Sequence, residues 1–126
     1  MENFGRFKYM LGMGLALFFH LTSSIGLIVD KRCDEERTCV GLWYFGILLG
    51  AIASHRSGSA STVKCFLVTP LFYHVITTAG SLMVDHMFML TGWTLMYRNA
   101  EEYHEPQEKV ATAEATNAAE ATGKSD

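Results

Sequence analysis

Apolar positions run in three long blocks separated by short polar breaks. The first block is Tyr9–Val29, 21 residues without a charge, and at about 1.5 Å per residue it reaches across a hydrocarbon core of ~30 Å. Arg6 and Lys8 precede it, but it is longer than a signal-peptide core and lacks a good small-x-small cleavage pattern, so it reads as a retained helix. The second block, Val40–Ser54, has 15 residues and needs its polar flanks or local thinning to span. The third, Cys65–Val84, has 20 residues and leads through Asp85 and His86 into a weaker apolar stretch, Met87–Tyr97. The charged loop Asp30–Cys39 and the small-polar turn His55–Thr62 separate the blocks.

This pattern predicts an all-α membrane protein. It is a bundle of three transmembrane helices, at about 9–29, 40–55 and 64–85, with a flexible C-terminal tail. Residues 87–98 lie along the interface, with Trp93 and Tyr97 as anchors, or form a fourth span after a turn near Thr78-Ala79-Gly80-Ser81. A turn there would leave backbone groups unsatisfied near hydrocarbon, which favours three spans. Charge bias points the other way. Three spans divide the basic residues four against four. Four spans put Arg6, Lys8, Arg56, Lys64 and Arg98 on one side against Lys31, Arg32 and Arg37.

Charge also separates the spanning domain from the tail. Residues 1–98 carry six acidic and eight basic side chains, whereas residues 99–126 carry seven acidic side chains and two lysines. The tail is rich in Ala, Thr and Glu and lacks the apolar mass to fold alone, beyond a few helical turns after Pro106. No basic patch with interleaved aromatics is present, so nucleic-acid binding has no support. No nucleophile–base pair, phosphate loop or complete metal set is present either, which argues against a stand-alone enzyme.

Within the third block, His74, Thr77, Thr78, Ser81, Asp85 and His86 step by three or four and share one face of a continuous helix. Ionisable groups at membrane depth are costly and face an interior, a cavity or a cofactor. His20 lies at a depth matching His74, and imidazole is a good axial haem ligand. Asp85, helped by His86, is a candidate proton-handling or quinone-side carboxylate. Gly46-x-x-x-Gly50-x-x-x-Ser54 is a small-residue face for close helix packing. Cys33 and Cys39 flank an acidic loop and can close a disulfide in an oxidising compartment or stay as thiols.

The segment from Phe72-Tyr73-His74-Val75 through Asp85-His86 resembles the haem and quinone helix of succinate dehydrogenase (respiratory complex II) membrane-anchor subunits. There a membrane-helix His is followed eleven residues later by an Asp, and His74 and Asp85 have that spacing, with Gly80 between them. The resemblance covers about 15 residues, and His86 stands where the family usually has Tyr. It implies His74 as axial ligand of haem b, Asp85 beside a ubiquinone site, and a place in the mitochondrial inner membrane. The reading that follows is a small non-catalytic integral-membrane subunit of a larger complex, with lipid and other membrane subunits as partners. The alternative is a four-span scaffold, adhesion or trafficking protein with a disulfide-bearing extracellular loop. A transporter or channel subunit lined by the His74–Asp85 stripe is a third reading.

Overall fold

In a computed structural model, described over residues 2–29, 35–80 and 83–122, the chain forms α1 (Glu2–Val29), α2 (Glu35–Arg56), α3 (Ala60–Gly80) and α4 (Val84–Thr122). No strand occurs among the described residues. Three helical stretches, Phe4–Val29, Thr38–Arg56 and Ala60–Gly80, are long and apolar enough to cross a membrane.

The packing is inverted relative to a water-soluble bundle. On α1 the inward positions are Tyr9, Gly12, Ala16, His20 and Ser24, small or polar, while Phe7, Leu11, Phe18, Leu21 and Ile25 point outward. Water-soluble helices place the large apolar stripe inward. In lipid there is no hydrophobic drive between helices, so small residues and hydrogen-bonding groups go inside.

The third predicted helix does not run from 64 to 85. It begins at Ala60, where the Ser59 hydroxyl accepts the Thr62 N–H at 3.5 Å as an N-cap, after Gly58 (φ 73°) has ended α2 in the left-handed conformation. Twenty-one residues from that cap cover about 31 Å, long enough to cross a hydrocarbon core, and Gly80 is the last residue of that helix. Ser81, part of the predicted stripe, lies outside the described residues.

The chain then returns. Phe88 stacks on Phe19 (4.8 Å between centroids), Gly92 meets Gly12 and Ala16, and Glu102 lies over Gly5. The pairing order shows that α4 runs antiparallel to α1, and this is the most extensive helix pair in the bundle. Trp93, expected as an interfacial anchor, is fully buried instead, because the turn aims this face of α4 into the bundle. The domain boundary drawn at Arg98 falls inside α4. Asn99, Ala100 and His104 are buried, and the helix continues through Pro106 to Thr122. Described side chains from Glu105 onward are exposed.

The predicted small-residue face on α2 is only partly used. Gly50 lies under the Phe66 ring and Ser54 is buried, donating to the Ala51 carbonyl, but Gly46 faces open space. The tight contact is between α1 and α4. A Cβ on Gly92 would stand 2.7 Å from the Gly12 carbonyl oxygen and 2.7 Å from the Ala16 nitrogen. A Cβ on Gly12 would stand 2.6 Å from the Gly92 oxygen.

Candidate functional site: two histidine clusters

The turn after Gly80 brings His86, in the first turn of α4, beside His74 on α3, and His20 of α1 closes on the opposite side of His74. His74 Nε2 lies 3.2 Å from His20 Nε2, and His74 Nδ1 lies 3.2 Å from His86 Nδ1. His20 and His74 are fully buried, and His86 is half-buried. Tyr44 of α2 packs its ring against all three imidazoles, and its hydroxyl lies 3.4 Å from that of Tyr73.

One carbonyl sets the direction of this chain. His20 Nδ1 is 3.1 Å from the Ala16 carbonyl oxygen, which can only accept, so Nδ1 carries the proton. In neutral His20, Nε2 is then a bare acceptor. His74 must donate to it from Nε2, which leaves His74 Nδ1 as an acceptor for the His86 Nδ1–H. The Thr77 hydroxyl already donates to the Tyr73 carbonyl at 2.9 Å, so it is a second acceptor for His86 at 3.4 Å. His74 and His20 thus each donate once and accept once, and His86 heads the chain as donor from Nδ1. A proton taken up at His86 Nε2 can move inward by successive transfers and come to rest on His20, because the Ala16 carbonyl ends the relay.

The predicted residues are therefore brought together in part. His20, His74 and His86 meet. Asp85 does not join them: the turn moves it off the His74 face, and its side chain is exposed at the start of α4, where a carboxylate suits the helix N-terminus. The site also does not fit the haem implied by the resemblance. Both His74 ring nitrogens face imidazoles at 3.2 Å, whereas two imidazoles on opposite faces of one metal stand about 4 Å apart. As packed, both His74 ring nitrogens are engaged and neither is free to face an iron. Cys39 is exposed at the start of α2, and Cys33, its proposed disulfide partner, lies outside the described residues.

A second cluster escaped sequence reading. Tyr9 is fully buried near the other end of the bundle. Its hydroxyl lies 3.1 Å from His55 Nδ1 on α2 and 3.1 Å from His104 Nε2 on α4. Tyr103 stacks on the Tyr9 ring at 4.4 Å between centroids. His55 and His104 lie in a polar turn and an acidic tail along the sequence, and only four antiparallel helices bring them to one depth. Fully apolar positions, among them Leu67, Val63 and Met96, occupy the core along with these two clusters. Together the clusters use all five histidines of the chain. His104 is held below its ordinary 6.5 first by burial and then by the neighbouring His55. The sign follows. The unfolded chain binds the extra proton more readily, so this site contributes full stability above about pH 6.5 and loses it as the pH falls further.

Compared with known protein families, curated proteins and solved structures, the chain matches none.

Proposed function

We propose that this chain is a small, non-catalytic integral-membrane subunit that handles protons for a larger membrane complex through the His86–His74–His20 chain. One observation carries the reading: a buried imidazole, His74, has both nitrogens engaged by imidazoles from two other helices. Ionisable groups inside a membrane bundle are costly and mark proton or ion pathways by default. The outward apolar side chains of α1 suit lipid and partner helices. In its finer form the reading is a divergent respiratory anchor of the complex II type in the mitochondrial inner membrane. Ubiquinone would then lie beside Asp85 and His86 and take up protons, with electrons delivered by partner subunits. Co-purification in mild detergent, with identification of the bound proteins, tests the reading. Partner subunits are expected in one complex, and His86→Phe should lower its ubiquinone reduction by at least ~10-fold. A lone chain, or an unchanged rate, overturns it.

A second reading, a four-span scaffold or trafficking protein, is favoured by the antiparallel return of α4 along α1, which brings Glu102 beside Gly5 at one end of the bundle. Arg6, Lys8, Arg56, Lys64 and Arg98 fall at that same end, and Lys64 pairs there with Glu101. A tag after Asp126 and a tag before Met1 should therefore be labelled only after permeabilisation of the membrane facing the cytosol. Labelling from opposite sides restores three spans.

A further inference from the structure

We infer that Tyr9, His55 and His104 form an acid-released latch that holds the outer part of α4 against α1 and α2. The Tyr9 hydroxyl has one proton and stands 3.1 Å from each imidazole, so it can donate to one ring and accept from the other. With both rings neutral, every hydrogen bond in the bridge is made. The bridge links three helices, and it sits where Ala100 and His104 are the last buried positions among the described side chains of α4.

Acid removes the match. When both imidazoles are cations, each has only donors, and the Tyr9 proton has no ring nitrogen to go to. The two rings, 5.4 Å apart between centroids, also repel. His104 suffers most. Where its Nε2–H donates to the Tyr9 hydroxyl, its Nδ1 is a bare, buried nitrogen without a hydrogen-bond partner, and a proton added there becomes an unsatisfied buried donor. That donor is hydrated only if this part of α4 leaves the bundle. The other charged and titratable groups around the latch do not cancel the effect. Tyr103 stacks on Tyr9. Arg6 and Lys8 on α1, Arg56 on α2 and Lys64 on α3 are cations, and they offer a cationic latch no counter-charge. Glu101, Glu102 and Glu105 are neighbours of His104 along α4, and they favour its cation in the docked and the released helix alike. Glu102 rests against Gly5 and Glu101 pairs with Lys64, so both reinforce the docked state at neutral pH.

Hydrogen exchange of the full chain in lipid nanodiscs, corrected for the intrinsic pH dependence of exchange, reads the latch. Amides of residues 99–105 should lose protection by at least ~10-fold between about pH 7.5 and pH 5.5, while residues 88–96 stay protected. In His104→Phe, which keeps an aromatic ring without a proton site, that loss should vanish. His55→Phe should reduce it, and this second variant decides the matter if the first fails to fold. The inference is overturned by three results: wild-type protection that does not change with pH, a loss that is equal over residues 88–96, or a folded variant that keeps the full wild-type loss.

Discussion

Gly92→Val should largely dissolve the α1–α4 contact and lower the stability of the protein by about 3 kcal/mol or more. Overpacking a core commonly costs about 1–3 kcal/mol, because side chains can shift to make room. Here the new Cβ would meet backbone: the Gly12 oxygen and the Ala16 nitrogen, both at 2.7 Å, with the Ala16 Cβ at 2.9 Å. Backbone yields only if the helices separate, and separation takes with it the burial of Trp93, Met96 and Met89. Gly12→Val should behave alike, since its Cβ would stand 2.6 Å from the Gly92 oxygen. Two controls carry the same chemistry without the contact. Gly14 and Gly46 have no heavy atom within 4 Å of a built Cβ, so valine there should change stability by no more than about 0.5 kcal/mol. Unfolding in mixed micelles of increasing SDS content measures all four. Equal effects at Gly92 and Gly46 would mean that α4 does not lie on α1.

His74→Leu is expected to be the most damaging substitution at the histidine chain, at about 2–4 kcal/mol. Leucine fills much of the space but leaves the His20 Nε2 acceptor without its partner and reduces the His86 Nδ1 donor to its longer contact with the Thr77 hydroxyl at 3.4 Å, where an orphaned buried group costs about 1–3 kcal/mol. His86→Leu should cost less. It leaves only the His74 Nδ1 acceptor without a partner and truncates a half-buried side chain instead of a fully buried one. The same micelle titration ranks the two variants. His86→Leu costing as much as His74→Leu would remove His74 from the centre of the chain.

What could be read before the structure divides by physical cause. The three spanning helices were legible because length and continuous apolarity define them, as Phe4–Val29, Thr38–Arg56 and Ala60–Gly80 show. The fourth helix was not. Its first half mixes Asp85, His86 and Arg98 with apolar residues, and its second half is acidic, so neither hydropathy nor composition joins them. A turn near Gly80 is disfavoured by the sequence alone because it would leave backbone groups unsatisfied near hydrocarbon. The Ser59 cap starts α3 at Ala60, so a full-length helix already ends at Gly80. The matched depth of His20 and His74 is legible in the sequence, and their rings meet at 3.2 Å. Asp85 was kept with them only by assuming a straight helix. The packing face on α2 drew notice because its small residues repeat every four positions. Gly12, Ala16 and Gly92 were missed because the contact joins helices far apart in sequence. The Tyr9, His55 and His104 cluster was missed for the same reason.

The directed chain of three imidazoles is the central claim, and nitrogen-15 NMR of histidine-labelled protein in bilayers tests it most directly. At about pH 8 all three rings should be neutral, with the proton on Nδ1 of His20, on Nε2 of His74 and on Nδ1 of His86. Couplings across the hydrogen bonds should connect His74 Nε2 to His20 Nε2 and His74 Nδ1 to His86 Nδ1. A proton on Nδ1 of neutral His74, or His74 with no coupling to either partner, would contradict the account.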